Sequence, residues 1–298
     1  MVRQYKIHTN LDGTDDKVWD VTNGKVRFYQ PSNLGLQSTN NIWQSNGVGV
    51  MGTRSITQPQ IEFKLETFGE SLEENYRLMK DFINDILNQK FVTLEYQTEI
   101  FQVYADLALA DVTKTEGYGK NGTFSEKITF DIITKWYTYE NLTLDKIQNG
   151  KVIAGKSKIY GGTAPGNYKY VKGTSYTYYG ESNIDRLSRW DIKDEIFSFM
   201  GILYPKLPKT PAGVRFLDDI GNEYTAIAFK TEELQDYILI NTDVNDETYQ
   251  GWKGTTALNL FPVMDFERYR TRIIEKGQME LINLSKAEFK IKRKADFV

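Results

Sequence analysis

Side chains that could carry out covalent or metal chemistry are scarce in this chain. It contains no cysteine, which excludes disulfides, thiolate metal sites and cysteine nucleophiles. Its one histidine, His8, rules out a cluster of histidine ligands. Tyr5 and Ile7 define one face of a predicted strand, so His8 is expected on the opposite, exposed face. Nothing near it prepares a catalytic triad.

Two stretches resemble ligand-binding motifs, and each lacks an essential part. Residues 47–52 (GVGVMG) fit the dinucleotide fingerprint, but loop and strand follow instead of a helix, so these glycines are expected in a turn or bulge. Residues 243–254 resemble a calcium loop, but Thr248 replaces the glycine and Gly254 the glutamate, so a solvated acidic turn is expected. Residues 10–16 form a second acidic turn. We therefore predict no enzyme, no catalytic or metal-binding residue and no cofactor.

The composition is that of a soluble globular protein. The 298 residues suffice for one large domain or two ordinary ones, and 40% are hydrophobic and 26% charged. Aromatic residues reach 13%, which favours strands and contact surfaces. The net charge of −3 argues against nucleic-acid binding. No apolar run approaches a membrane span and no signal peptide is evident, so folding in a cytoplasm is expected.

The first half of the chain reads as strands around one helix. Val18 to Thr22 and Lys25 to Tyr29 flank Asn23-Gly24, which predicts a hairpin. Residues 61–66 alternate apolar and charged side chains, as a half-buried strand does. These strands belong to a predicted N-terminal domain over residues 1–140.

Residues 71–90 predict a long helix. Ser71 and Glu74 form a capping box, and the next strand alternates apolar residues with Thr93 and Glu95. The apolar residues at helical spacing are Leu72, Tyr76, Met79, Phe82, Ile83, Ile86 and Leu87. The N-terminal domain is therefore predicted to be a β-sandwich or half-barrel with one long helix across it.

The composition changes after the first domain, and residues 141–175 are predicted to be a linker or an arm-like extension. Residues 146–173 contain six lysines, six glycines and no acidic residue. A plain linker and an arm that grips a partner both remain open, and the tyrosines favour the arm. The candidate partner-binding residues are Lys151, Lys156, Tyr160, Tyr168 and Tyr170.

Residues 176–298 predict a second β-sandwich of short strands. Val214 to Leu217 and Tyr224 to Phe229 surround a Gly221-Asn222 turn, and strands are also expected on both sides of Lys276-Gly277. Residues 286–294 carry five basic side chains, which on an outermost strand would oppose edge-to-edge aggregation.

Residues 113–137 predict a long hairpin that turns over Asn121-Gly122. This hairpin resembles the end of the N-terminal domain in distal tail proteins of siphophages that infect Gram-positive bacteria. With the helix at 71–90, the strand pair after it and, more weakly, residues 265–284, the resemblance covers nearly the whole chain. It is strongest to the proteins of lactococcal phages.

The resemblance implies a structural virion protein with no active site. The N-terminal domain would close a hexameric ring at the tail tube, and the second domain would be a galectin-like β-sandwich facing outwards. Expected partners are the tail tube or major tail protein, the tail-associated tip protein and the receptor-binding protein for host adsorption, the last gripped by the extension. The protein would reside in the baseplate of the virion, after assembly in the cytoplasm of the bacterial host.

The alternative from another class is a carbohydrate-binding module that contacts cell-wall glycans of the host. A galectin-like sandwich could stack sugars on Trp190 or Trp252. Large aromatic residues are more often part of a core or an interface. A wall hydrolase is the third reading and would need a carboxylate pair.

Overall fold

The computed structural model describes residues 3–35, 38–56, 60–114, 122–144, 147–148, 151–152 and 189–295. Among them, most form strands, and there is one α-helix, which is not long and apolar enough to cross a membrane. The predicted mainly β fold class is confirmed. The chain divides into unit 1 (1–138 and 295–298) and unit 2 (139–294), with the boundary inside the strand Tyr137–Leu144.

Unit 1 is a set of antiparallel strands wrapped around an apolar core. In chain order its elements are β1 (Gln4–His8), β2 (Val18–Asp20), β3 (Val26–Ser32), β4 (Ser38–Ser45), β5 (Val48–Ile56), β6 (Gln60–Thr67), α1 (Leu72–Leu87), β7 (Val92–Gln97), β8 (Gln102–Thr113) and β9 (Ser125–Ile132), followed by β10 (Tyr137–Leu144) at the boundary. The strand order is β2-β1-β7-β8-β9-β6-β3. Because β8 pairs with β7 through its first half and with β9 through its second, it turns the corner of the predicted half-barrel.

The helix α1 begins as the sequence predicts and ends earlier. Glu74 N donates to Ser71 Oγ at 3.2 Å, so Ser71 is the N-cap. The Glu74 carboxylate accepts from the backbone N–H of Glu70 at 2.7 Å, one residue before the position in an ideal capping box. The helix spans 16 residues and packs on β3 and β6 through Phe82 and Ile86.

The prediction of a hairpin at Asn23-Gly24 is wrong. β2 pairs with β1, and β3 pairs with β6. Asp20 Oδ1 accepts from Thr22 N and Asn23 N at 2.9 Å, while Gly24 N donates to Asp20 O at 3.0 Å. The Asp20 carboxylate therefore caps a tight turn that redirects the chain towards β6.

The strands on either side of Asn121-Gly122 pair as predicted, and the predicted turn itself includes residues 115–121, which lie outside the described part of the chain. β8 and β9 remain paired as far as Thr113 and Lys127. Phe124, between them, exchanges hydrogen bonds of 3.3 Å with Thr67 at the end of β6. Phe124 thus contacts the end of β6 directly before the chain enters β9.

Unit 2 consists of two antiparallel sheets over one core. After the short pair β11 (Ile147–Gln148) and β12 (Lys151–Val152), its strands are β13 (Arg189–Ile192), β14 (Ile196–Pro205), β15 (Ala212–Leu217), β16 (Glu223–Phe229), β17 (Tyr237–Asn241), β18 (Thr248–Lys253), β19 (Thr256–Asn259), β20 (Gly277–Ile282) and β21 (Leu284–Lys294), with a 3₁₀ turn at Phe261–Val263. One sheet has the order β19-β18-β17-β14-β21-β10, and the other β13-β20-β15-β16. Phe199, Phe216 and Phe289 fill the space between them. The likeness to galectins remains a prediction.

Strand pairing in unit 2 confirms the hairpin predicted at Gly221-Asn222 and corrects one predicted strand. β15 and β16 pair around Gly221, whose φ is +90°. β20 pairs with β13 and β15, whereas Ile274 bridges to Ile196 at the start of β14. Residues 272–274 make this single bridge and form no strand, so of the two strands predicted beside Lys276-Gly277 only β20 is confirmed.

The prediction of a basic outermost strand is also wrong, because β21 lies between β14 and β10. Lys292 is buried, with its Nζ 2.9 Å from Asp243 Oδ2. Lys290 Nζ lies 3.9 Å from the centre of the Tyr139 ring. The basic residues are thus partnered inside a sheet, where opposite charges and aromatic faces offset their desolvation.

Candidate assembly surfaces

The single histidine belongs to a buried polar network, which corrects its predicted exposure. His8 is 7% exposed, with Nδ1 2.6 Å from Asp16 Oδ2 and Nε2 2.8 Å from Glu95 Oε2. Lys6 Nζ and Gln102 Nε2 both donate to Glu95 Oε1 at 2.9 Å. The loop after β1 places Asp16 over the outward face of the strand, and its acidic composition was the one sequence signal for this burial.

Glu95 lies on β7, a strand whose two faces are both buried, so the predicted half-buried alternation there is wrong. Thr93, also on this face, donates to Asp106 Oδ1 at 2.7 Å, and Tyr137 OH donates to the same oxygen at 2.7 Å. Burial raises the pKa of Glu95, but the hydrogen bonds from His8 and Lys6 together lower it by more. The pKa therefore lies below the usual value of 4.5. These paired groups stabilise the fold.

The acidic loop that resembles a calcium site is occupied by the protein's own donors. Asp243 is buried against Lys292, which corrects the predicted solvated turn. Asp246 Oδ2 accepts from Asn241 Nδ2 at 3.1 Å, and Glu247 accepts from Arg272 at 2.7 Å. Within the described ranges, no group of three or more His, Asp or Glu side chains is arranged to hold a metal ion.

The most exposed apolar surface of unit 1 is the hairpin of β4 and β5, called here the β4–β5 hairpin. Its two strands form a sheet of their own. Trp43 is 68% exposed and pairs with Val50 on one face, while Ile42 and Met51 pair on the other. Two-stranded hairpins are marginally stable in water, and large exposed apolar side chains mark interaction surfaces.

The tip of this hairpin confirms the turn expected for the glycines at 47–52. Asn46 and Gly47 have φ of +50° and +76°, the left-handed values that a two-residue turn requires. The following residues form a strand, so the dinucleotide fold is absent from this stretch.

A second apolar surface surrounds the start of α1, and we call it the α1 patch (Tyr29, Phe68, Leu72, Tyr76 and Phe124). Tyr29, Phe68, Leu72 and Tyr76 are exposed. Two of these residues, Leu72 and Tyr76, belong to the apolar set that the helical spacing predicted. The ring centres of Tyr29 and Phe68 are 6.3 Å apart, and those of Tyr76 and Phe124 are 6.4 Å apart. Helical periodicity therefore identified apolar residues that α1 does not bury in its own unit.

Unit 2 has a groove of about 570 Å³ on the outward face of its larger sheet. Met200, Ile202 and Leu239 provide apolar walls. The tryptophans considered for sugar stacking are elsewhere: Trp190 packs against the core, and Trp252 stacks on Tyr237 with ring centres 6.0 Å apart. This arrangement gives the carbohydrate-binding alternative no specific support.

The predicted arm residues are largely outside the described residues. Lys151 starts the short strand β12, which pairs with β11. Its side chain and the residues Lys156, Tyr160, Tyr168 and Tyr170 lie outside the described part of the chain. Their partner-binding role stays a prediction.

Two family models match consecutive parts of the chain. The model of the N-terminal domain of the distal tail protein matches residues 4–133, and that of the Dit C-terminal domain matches residues 135–298. The distal tail protein of Lactococcus phage p2 is 96% identical over 298 residues, and that of Lactococcus phage SK1 is 91% identical, each over 100% of both chains.

Solved structures extend this similarity. A chain in the structure of the phage p2 baseplate in its activated conformation with Ca is 96% identical, with a TM-score of 0.81 over 100% of both chains. The SPP1 Dit protein, described as a paradigm of the hub adsorption apparatus in phages that infect Gram-positive bacteria, has 10% identity and a TM-score of 0.53. It covers 99% of this chain and 100% of its own, and at that identity it supports the fold alone.

Proposed function

The chain belongs to the distal tail protein family, and from this premise we propose that it is a structural protein of the phage virion that forms the hub of the baseplate. The observation that carries the proposal is the full-length identity of 96% to a chain solved in a phage baseplate. The apolar surfaces and the internally paired polar groups of the described residues suit an assembly protein.

The hub would be a hexameric ring closed by the N-terminal units. A ring needs two different surfaces on each copy, so that every subunit contacts the next by the same rotation. The β4–β5 hairpin and the α1 patch are two such surfaces, and both are apolar. Burial of the hairpin against the α1 patch of the neighbouring subunit would remove exposed aromatic and aliphatic groups from water.

The ring would join the tail tube on one face to the tail-associated tip protein on the other. The extension at 141–175 would carry the receptor-binding protein, using lysine and tyrosine side chains that suit a polar, aromatic contact. Assembly in the host cytoplasm fits a chain without cysteine, because structural disulfides would not persist there.

The test is the molar mass of the purified protein by light scattering on a sizing column. One chain is 34.5 kDa, so six chains give 6 × 34.5 = 207 kDa. Trp43→Ser and Val50→Ser are expected to shift the mass towards the monomer, because they replace apolar contacts of the hairpin by hydroxyls. Loss of one buried large side chain costs about 2 kcal/mol or more per contact, and six contacts close the ring.

Ile220→Ser is the matched control, since Ile220 is 83% exposed in a turn of unit 2. It should leave the ring intact. Where the isolated wild-type protein stays monomeric, the same variants are scored by their incorporation into tails. Hairpin variants that assemble as well as the wild type would contradict the assignment of the hairpin to the ring contact.

A further inference from the structure

We propose that Asn46 in the tip of the β4–β5 hairpin is a site of spontaneous deamidation, which converts its side-chain amide into a carboxylate. Asn46 and Gly47 are both exposed. The hairpin forms its own sheet, so among the described residues the two strands beside the turn pair only with each other.

The reaction needs only water. The backbone nitrogen of Gly47 attacks Cγ of Asn46, and a new N–Cγ bond closes a five-membered succinimide ring. The Cγ–Nδ2 bond breaks, and ammonia leaves with the proton lost from Gly47 N. Water then adds to one of the two ring carbonyls, which gives aspartate, or isoaspartate with the main chain running through Cγ.

The surroundings of Gly47 permit this attack. Gly47 carries no side chain, and a Cβ atom at its Cα would meet nothing within 4 Å beyond its chain neighbours, so the space beside this residue is open. Among the described residues, no hydrogen bond is made by Gly47 N. Rotation of the peptide towards Asn46 Cγ therefore disturbs only the adjacent strand pair Ser45–Val48.

The second described Asn-Gly pair provides an internal control with the opposite environment. Gly24 N donates to Asp20 O at 3.0 Å, and Asn23 N donates to Asp20 Oδ1 at 2.9 Å. Arg27 donates to the carbonyl oxygens of both turn residues, Gly24 O at 2.7 Å and Asn23 O at 3.3 Å. Ring closure at Asn23 must first break this network, so the same dipeptide should react more slowly there.

Formation of the ring of subunits should protect Asn46, and this second part of the inference rests on the proposed function. A hairpin buried against a neighbouring subunit cannot rotate its turn freely. A new carboxylate at the tip of the hairpin would also have to be desolvated in the contact, which disfavours assembly of modified chains.

The experiment is peptide mapping by mass spectrometry of the full-length protein after incubation in mildly alkaline buffer. Alkaline conditions favour the attack because they remove the proton from the amide nitrogen. We expect the modified fraction to grow about tenfold faster at Asn46 than at Asn23, which corresponds to about 1.4 kcal/mol of barrier. Asn46→Gln should abolish the change in its own peptide and leave the peptide of Asn23 unaffected.

Equal rates at the two asparagines, or an unmodified Asn46, would overturn the proposal. The same mapping on intact phage tails separates the two parts of the inference. Protection of Asn46 in tails but not in the free protein supports both parts. Equal modification in tails and free protein keeps the modification site but overturns burial of the hairpin in the assembly.

Discussion

At the scale of single residues, several polar side chains of this protein are buried although the pattern of their sequence neighbours predicts exposure. His8, Glu95 and Lys292 alternate with apolar residues, which predicts exposure, yet all three are buried. Each has an ionisable side chain as a partner at 2.9 Å or less. Alternation fixes the side of the strand on which a residue lies, but not what covers that side.

The Glu95 carboxylate should make the stability of the protein depend on pH. Its pKa lies below 4.5 in the folded state, so its contribution is present above pH 4.5 and is lost as the pH falls through the folded pKa. Glu95→Gln should cost about 2 kcal/mol at neutral pH and less in acid. Urea unfolding at neutral and acidic pH measures the free energy of unfolding for both proteins.

Glu99→Gln, in the exposed turn after β7, is the control and should follow the wild-type protein. A wild-type protein and a Glu95→Gln variant whose unfolding free energies fall in parallel with pH would refute the role of Glu95.

At the scale of elements, α1 shows how a local signal fixes a boundary. The cap at Ser71 was evident from the sequence because it needs only residues within one turn. Asn75 was not predicted: it is fully buried and its Oδ1 accepts from Gly69 N at 2.6 Å, which ties the helix to the preceding turn. The end of α1 at Leu87 has no comparably strong signal.

Ser71→Ala should lower the free energy of unfolding by about 1 kcal/mol, because one N–H at the start of α1 loses its acceptor. Ser71→Gly should cost only a few tenths of a kcal/mol, because glycine is tolerated at this position. Ser38→Ala, at an exposed position of β4, is the control. Equal urea midpoints for Ser71→Ala and Ser38→Ala would show that the cap contributes nothing.

At the scale of the whole molecule, the proposed function assigns different binding partners to unit 1 and to the extension at 141–175. The ring contact would belong to unit 1, whose described residues include two exposed apolar surfaces, the β4–β5 hairpin and the α1 patch. Receptor-binding protein would be held by the extension, whose composition differs from both units.

Replacement of residues 151–172 by an equally long glycine and serine linker tests this division. The variant should keep the molar mass of the wild-type assembly and lose co-purification with the receptor-binding protein. A linker of the same length controls for the connection between the units. Recovery of a stable complex with receptor-binding protein would refute the arm.

The sequence by itself determined the mainly β class, the start of α1, the absence of thiol chemistry and the resemblance to distal tail proteins. These features depend on residue types and on periodicities over a few neighbouring residues. Only the tertiary structure decided that β3 pairs with β6, that β21 is internal, that His8 is buried and that Trp43 is exposed. The physical reason is that burial and strand pairing depend on partners far away in the chain, which no local pattern specifies.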